Sequence, residues 1–197
     1  MSTDQPPKHD PVFDFDRRVC DACLPYKDSA PVRTAGFVGQ VGDQEQMRVL
    51  AGGIVLGGLL LRDPRLLRAG LRMAASHELA TLIKDFVKKR VDRKRPRSVD
   101  GSTDHEPEEG RRTDKEHTSF PSGHSAGAMA GAAALGAVYP EHRGKALAAG
   151  LTVGAIQVPT CAHYPSDVVT GLAIGASADA AVGLGERVLR ALWRRRG

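Results

Sequence analysis

Five mostly apolar stretches, separated by polar segments, dominate the pattern along the chain. The first three are residues 47–61, residues 66–91 with apolar positions at helical spacing, and residues 124–139. Two more cover residues 145–158 and 168–184. Stretches of this length and spacing are typical of α-helices, so the pattern predicts an all-α fold.

The polar segments between these stretches are of two kinds. Residues 62–65 and 140–145 form short turns, whereas residues 88–123 and 159–167 are rich in residues that carry chemistry. In an up-and-down bundle, alternate connections lie at the same end. We therefore predict an up-and-down bundle of five to six helices in which the two motif-rich junctions meet.

The N-terminal region differs from the rest of the chain. Residues 1–11 are polar and proline-rich, predict a disordered tail, and lack the basic start and apolar core of a secretory signal. Residues 12–26 have a mixed pattern that predicts an amphipathic helix lying on a surface. We divide the chain into a polar N-terminal tail, residues 1–35, and a helical bundle domain, residues 36–197.

Composition narrows the fold class but leaves the binding partner open. The 197 residues are enough for one domain with a core, and 22 glycines with only 5% aromatic residues favour closely approaching helices. The net charge of +5 fits nucleic acid, anionic lipid, a phosphorylated substrate or the positive flanks of membrane helices. Cys20, Cys23 and Cys161 include no second pair with metal-ligand spacing, so they predict no metal or redox function.

The first motif-rich junction begins with a basic run, "KKRVDRKRPR". Lys88 falls near the predicted end of a helix, and Pro96 biases Arg95 toward an extended conformation. Two cations of different reach can then converge on one anion. A solvated basic run is the alternative interpretation of this segment alone.

The same junction ends with "PSGH", directly before an apolar helix. Ser122 offers a hydroxyl, and the amides of Gly123 and His124 lie where the helix begins. Unpaired amides and the positive end of the helix dipole favour phosphate there. His124 is suited to donate a proton to a leaving oxygen.

The second motif-rich junction carries "HYPSD". His163 and Asp167 are four residues apart and would share a face if helical geometry ran through both. The carboxylate would then hold one imidazole nitrogen and leave the other as nucleophile or base, although a structural pair is the alternative. Together the three motifs suit phosphoryl transfer through a phosphohistidine.

In this order the motifs resemble the type 2 phosphatidic acid phosphatase (PAP2) superfamily, which includes lipid phosphate phosphatases, bacterial acid phosphatases and vanadium haloperoxidases. The resemblance covers about residues 45–185. It implies that His163 is the nucleophile, that Asp167 orients it and that His124 protonates the leaving group. It also implies phosphate-binding roles for four residues: Lys88, Arg95, Ser122 and Gly123.

The third motif departs from the family pattern. Ile156 and Gln157 stand where the family has Ser-Arg, so the second phosphate-binding guanidinium is missing. The amide of Gln157 can bind the substrate but carries no charge, and charge-assisted hydrogen bonds are roughly twice as strong as neutral ones. Four arginines in or after the first motif are candidate substitutes: Arg93, Arg97, Arg111 and Arg112.

The apolar helices resemble those of the membrane-embedded lipid phosphatases in the family. The length of these helices and the mean hydropathy of −0.28 for the whole chain do not by themselves demand a bilayer. The basic turns "RDPR" and "EHRGK" and the end "WRRRG" predict a cytoplasmic side opposite the motif end. We expect a multi-pass bacterial inner-membrane protein with its active site facing the extracytoplasmic side.

The predicted function is hydrolysis of a lipid phosphate or pyrophosphate, of the phosphatidic acid or polyprenyl pyrophosphate class. The enzyme would be metal-independent, use no cofactor and bind a phosphorylated lipid and the membrane, with no nucleic acid partner. Because of Gln157, a weak or inactive family member that binds a phosphorylated lipid is the alternative. Vanadate-dependent peroxidase chemistry is disfavoured, because nothing in the sequence favours that cofactor.

Overall fold

The computed structural model describes residues 10–98, 106–114 and 116–195, so most of the predicted disordered tail lies outside it. The all-α prediction is confirmed. The described residues form seven helices instead of five to six. The additional one is a short helix over Ala30–Gly39, which the apolar pattern did not predict. The bounds of all seven are α1 Pro11–Cys23, α2 Ala30–Gly39, α3 Gln44–Leu60, α4 Pro64–Lys88, α5 Gly123–Val138, α6 Arg143–Ile156 and α7 Pro165–Arg194.

Short polar side chains begin several of these helices. The Asp63 carboxylate accepts hydrogen bonds from the amides of Arg65 and Leu66 at 2.8 and 3.1 Å, which starts α4 after the turn from α3. At the other end of the bundle, Ser122 is the N-cap of α5. The predicted fifth helix and the amphipathic C-terminal segment are one continuous helix, α7.

Helix α5 lies at the centre and contacts α3, α4, α6 and α7. Small residues let the helix backbones touch: a Cβ atom on Gly171 or Gly175 of α7 would lie 2.4 or 2.3 Å from the carbonyl oxygens of Ser122 and Ala126 in α5. Close contacts between the helix backbones, stabilised by dispersion, therefore take the place of contacts between bulky apolar side chains along this interface. This close approach fits the glycine-rich composition.

The long junction after α4 contains a feature that the pattern did not predict. Two short strands, β1 Val91–Asp92 and β2 Glu108–Glu109, pair antiparallel. Beyond them, the Arg93 amide donates to His117 O at 2.7 Å and the Arg95 amide donates to Glu116 O at 2.8 Å. The first-motif arginine is thus held outside any helix. The predicted exposed loop includes residues 99–105 and 115, which lie outside the described residues.

The predicted amphipathic helix near the N-terminus is confirmed as α1, which a short 3₁₀ turn, Leu24–Tyr26, follows. It does not only lie on a surface, because Asp16 and Cys20 are buried. All three cysteines are free thiols. The division of the chain at residue 35 stays a prediction.

Candidate active site

An open cleft of about 1240 Å³ lies where the two motif-rich junctions meet. Side chains from the end of α4, the start of α5 and the turn before α7 line one side of it. Residues of α2 and of the start of α3 also line it. Six of the predicted site residues line this cleft: Lys88, Arg95, Gly123, His124, Gln157 and His163.

His163 is 99% buried, in the turn before α7. Its Nε2 lies 3.4 Å from Nη1 of Arg95, and its Nδ1 lies 3.7 Å from Oδ2 of Asp167. The second distance is too long for a hydrogen bond. The predicted helical spacing was wrong, because α7 begins at Pro165 and His163 precedes it. The two side chains adjoin because the Asp167 carboxylate turns back to accept from the Tyr164 amide at 3.0 Å.

Burial determines the protonation state of His163. Removal of the ring from water lowers the pKa of His163 to about 4, and the nearby Arg95 charge acts in the same direction. Burial also lowers the pKa of Arg95, to about 10, so the guanidinium stays charged at neutral pH. The site therefore presents a neutral imidazole beside a fixed cation.

Asp167 belongs to a buried network that the sequence did not reveal. Arg93 Nη1 donates to Asp167 Oδ1 at 2.6 Å, and Ser119 Oγ donates to Oδ2 at 2.6 Å. Arg93 Nη2 also donates to Asp16 of α1 at 2.8 Å. Arg93 is thus engaged behind the site, and the hypothesis that it replaces the missing third-motif arginine was wrong.

Asp16 ties α1 to the same network. One of its carboxylate oxygens accepts from the Ser166 amide at 2.9 Å, and the other accepts from the Ser166 hydroxyl. Asp16, Arg93 and Asp167 are each at least 99% buried. No motif marks Asp16 in the sequence; the amphipathic pattern of α1 was the sole indication that this helix has a buried face.

The start of α5 brings backbone amides to the cleft. Gly123 is the first residue of the helix and lines the cleft, and a Cβ atom there would lie 3.2 Å from Cδ of Lys84. Ser122 is fully buried instead, and its Oγ accepts from the amide and hydroxyl of Ser125 at 3.3 and 2.8 Å. The Ser122 hydroxyl is therefore not exposed in the cleft, where the predicted contact with phosphate would require it.

His124 faces His163 across the cleft. The two ring centroids are 6.3 Å apart, and the ring planes are inclined at 59°. A tetrahedral phosphate can be reached by both rings at that separation. Lys88, the last residue of α4, also lines the cleft and donates from Nζ to Thr118 O at 2.6 Å.

Gln157 is buried, and its Nε2 donates to Val153 O within α6 at 3.2 Å. The amide is thus engaged with its own helix. Among the candidate substitute arginines, Arg97 lines the cleft, whereas Nη1 of Arg112 lies 2.6 Å from Nε2 of His117. Lys27 and Arg33, from the segment that includes α2, also line the cleft and were not predicted.

The comparison with known families agrees with the motifs. The family model of the PAP2 superfamily matches residues 66–184. This chain belongs to the PAP2 superfamily. The match includes all three motifs, and it confirms the resemblance inferred from the sequence.

Two curated relatives of this PAP2 protein are lipid A 1-phosphatases. The one from Rhizobium johnstonii is 47% identical over 58 residues, which are 29% of this chain and 24% of the relative. The one from Rhizobium etli is 46% identical over 57 residues, 29% of this chain and 25% of the relative. The matched segments thus span about a quarter of the length of these relatives.

Two solved structures share the fold of this PAP2 protein. The transmembrane PAP2 type phosphatidylglycerolphosphate phosphatase from Bacillus subtilis superimposes with a TM-score of 0.64 at 21% identity, over 92% of this chain and 89% of that one. LpxE from Aquifex aeolicus superimposes with a TM-score of 0.58 at 16% identity, over 89% and 96%. At these identities the likeness concerns the helical fold.

Proposed function

We propose that this PAP2 protein is a phosphatase that hydrolyses a phosphorylated lipid through a phosphohistidine at His163. The observation that carries the proposal is the buried His163, which has Arg95 at 3.4 Å from Nε2 and the ring of His124 across the cleft. A neutral imidazole is the nucleophilic form, and burial holds His163 in that form.

The substrate phosphate would bind between cations and helix amides. Arg95 supplies a fixed positive charge, whereas burial and the neighbouring Arg95 lower the pKa of Lys88 to about 7, so Lys88 becomes fully charged when an anion binds beside it. Gly123 lines the cleft at the start of α5, at the positive end of the helix dipole. These groups would stabilise the charge that builds up on the non-bridging oxygens during transfer.

The chemical steps require two histidines with different roles. His163 Nε2 attacks phosphorus, the bond from phosphorus to the lipid oxygen breaks, and protonated His124 gives its proton to that oxygen. His124 then takes a proton from water, the water oxygen attacks phosphorus, and the P–N bond breaks to release phosphate and neutral His163. Asp167, 3.7 Å from Nδ1, would stabilise the positive charge on the phosphorylated ring.

The outer surface supports a lipid substrate and a membrane location. Among the described helices, α7 is the one long and apolar enough to cross a bilayer by length and composition, and a third of its apolar window is buried. A core helix of a soluble protein passes the same test, so the wider surface matters. Large apolar side chains are also exposed on α3 and α4, including Val49, Leu56, Leu60, Leu82 and Phe86.

Such exposed apolar surface is typical of contact with lipid or with another protein. We propose an inner-membrane, multi-pass arrangement with the cleft on the extracytoplasmic side. The basic turns at the opposite end support this orientation through the positive-inside tendency. In that arrangement a lipid headgroup could enter the cleft laterally, with its chains still in the bilayer.

A second candidate function is lipid phosphate binding without turnover. It is favoured by Gln157, whose amide is engaged with Val153 O and offers no charge to the substrate. Against it stands Arg97, which lines the cleft and which we propose as the replacement for the missing guanidinium.

Phosphate release tests the proposal directly. We expect the protein in detergent micelles to release phosphate from phosphatidic acid or polyprenyl pyrophosphate between pH 5 and 8. His163→Ala should lower this activity by at least about a thousandfold, because it removes the nucleophile. His142→Ala, at an exposed position in the turn before α6, is the control and should keep full activity. Release no greater than that of His163→Ala would contradict the proposed hydrolysis and favour the binding candidate.

The same assay tests the role of the arginines. Loss of one charge-assisted contact to the transition state should lower kcat/KM for Arg97→Ala by about tenfold to a hundredfold. Arg112→Ala, which removes an arginine that contacts His117, should stay within about twofold of wild type. Equal values for the two variants would exclude Arg97 as the substitute.

A further inference from the structure

The cleft extends beyond the residues that the phosphate would occupy. Four polar side chains of α4 line it in one stripe: His77, Thr81, Lys84 and Lys88. Their spacing of four, three and four residues places them on one face of the helix. Lys88 lies at the end with His163, so the stripe leads from the proposed phosphate-binding residues to the part of the same cleft that His77 lines, which we call the second compartment.

His77 is 98% buried, and although the backbone of Gln44 lies near the ring, neither ring nitrogen makes a hydrogen bond of good geometry to the residues that the structure describes. A buried polar group without a partner costs free energy, and natural folds retain few of them. The residue packs between α4 and α5 and also lines the innermost part of the cleft. A ligand that supplies the missing hydrogen bonds would account for its place there.

The position of His77 relates this compartment to the proposed chemistry. A Cβ atom on Gly127 of α5 would lie 3.0 Å from Cε1 and 3.1 Å from Nδ1 of His77, so the ring rests directly on that helix. Gly127 is three residues after His124, on the same face of α5. His77 therefore lies about one helical turn beyond His124, the residue that would protonate the leaving oxygen.

The other groups of the compartment indicate what it binds. Thr81 offers a hydroxyl, Gln44 an amide and Asp43 a carboxylate, and all three line the cleft. Lys84 brings a cation, but its Nζ is paired with Asp85 at 2.9 Å. A carboxylate in this set disfavours a second phosphate. A mixture of donors and acceptors suits hydroxyl groups, which donate and accept at once.

We propose that His77 forms the floor of a subsite for a hydroxyl-bearing leaving group, either a glycerol or a sugar, attached to the phosphate that is removed. The imidazole accepts or donates a hydrogen bond to one of its hydroxyls, with Thr81 and Gln44 beside it. The assignment of this compartment to the leaving group rests on the proposed function, because that function gives His124 its role. Binding itself does not require turnover.

Lipid binding by a non-hydrolysing variant tests the subsite. In the His163→Ala background, dissociation constants would be measured in detergent micelles for three probes: phosphatidic acid, phosphatidylglycerol phosphate and a glucosamine 1-phosphate lipid. His77→Phe keeps an aromatic ring but removes the hydrogen bond, whereas His77→Gln keeps a donor and an acceptor. His142→Phe at its exposed position is the matched control.

We expect His77→Phe to weaken binding of a hydroxyl-bearing probe by about tenfold, with phosphatidic acid changed less than about twofold. His77→Gln should restore most of the affinity, which a variant that merely misfolds would not allow. Weakening limited to the glycerol or the sugar probe identifies the source of the hydroxyls. Equal weakening for all three probes, or none for either hydroxyl-bearing probe, overturns the proposal.

A different result would contradict the proposed function without contradicting the subsite. The proposed function fails if the protein with His163 intact releases no phosphate from any of the three lipids, a result that leaves the binding comparison interpretable. If release does occur, the same pattern should appear in kcat/KM, with the His77→Phe loss confined to hydroxyl-bearing substrates.

Discussion

Helix α7 carries two buried aspartates, each paired with an arginine, that serve different purposes. Asp167 lies in its first turn and pairs with Arg93, whereas Asp179 lies about 18 Å further along the helix and pairs with Arg72. Both arginines donate at 2.6–2.9 Å. The chemistry of the two pairs is thus the same, and their surroundings distinguish them.

The Asp179 pair joins two helices of the bundle. Arg72 of α4 donates from Nε and Nη2 to the two carboxylate oxygens at 2.8 and 2.9 Å, and Ser76 donates to one of them at 3.0 Å. Glu186 extends the network toward the outer surface through Arg68 and Arg190. These contacts fix α4 against α7 at a distance from the cleft.

The Asp167 pair connects the proposed nucleophile, His163, to the surrounding helices. Arg93 spans two carboxylates, Asp167 and Asp16, from separate helices, and Asp167 Oδ2 lies 3.7 Å from His163 Nδ1. The same kind of ion pair therefore has a structural role where both carboxylate oxygens meet helix side chains. We propose that it has a positioning role where one oxygen faces a buried imidazole.

The largest effect should come from removal of either arginine. Arg72→Met leaves one buried carboxylate uncompensated and Arg93→Met leaves two, so each should lower the free energy of unfolding by at least about 3–5 kcal/mol. Only Arg93→Met should also lower kcat of the folded protein, by at least about a hundredfold, since Asp167 would lose its position beside His163. Denaturant titration and phosphate release on the same samples measure both quantities. An equal loss of kcat in Arg72→Met would erase the distinction between the pairs.

A second prediction uses pH to distinguish the two regions. Burial lowers the pKa of His163 from about 6.5 to about 4, so between those values the unfolded chain binds a proton that the folded chain does not. The resulting contribution to the free energy of unfolding is complete above pH 6.5 and is lost as pH falls toward 4. Its full size is roughly 3 kcal/mol.

The measurement is the difference in unfolding free energy between wild type and His163→Phe at pH 7 and at pH 4, which cancels the other titrating groups. Arg72→Met in both backgrounds is the control and should leave this difference unchanged. A difference that does not depend on pH would show that the imidazole is not held neutral. The acid limb of kcat/KM should likewise fall near pH 4 instead of 6.5.

Much of the site could be predicted because local motifs and topology agreed. Lys88 at the end of a helix, His124 at the start of the next and His163 before another are brought together by the alternation of a helical bundle. The His163–Asp167 contact was predicted for the wrong reason, since helical geometry does not run through His163. The capping contact of Asp167 with the Tyr164 amide brings the carboxylate back to the imidazole.

The residues that the sequence missed depend on distant parts of the chain. Asp16 meets Ser166, 150 positions away, and an amphipathic pattern indicates that α1 buries a face without indicating against what. His77 lies in a helix where a polar residue predicts an exposed position. The packing of α5 against this helix buries His77 beside the cleft instead. Ser122 was assigned to phosphate, but its hydroxyl is buried behind the start of the helix that it caps.

The smallest of the three effects should come from Asp16→Asn, which keeps the shape of the side chain and removes its charge. Arg93 would then be shared less between two carboxylates and would neutralise Asp167 more completely. Asp167 would stabilise positive charge on His163 less, so we expect kcat to fall by about tenfold with KM within about twofold of wild type. The measurement is the pH dependence of steady-state phosphate release.

Asp21→Asn on the exposed side of α1 is the matched control, because Asp21 pairs with Arg17 in solvent and touches no part of the network. A purely structural role for Asp16 would reduce the amount of folded protein without moving the pH profile. A positioning role moves the acid limb of kcat/KM to lower pH, because weaker support from Asp167 lowers the pKa of His163 further. An unchanged acid limb would therefore show that α1 does not influence the proposed chemistry. The contact of Asp16 with Arg93 would then have a purely structural role, like that of Asp179 with Arg72.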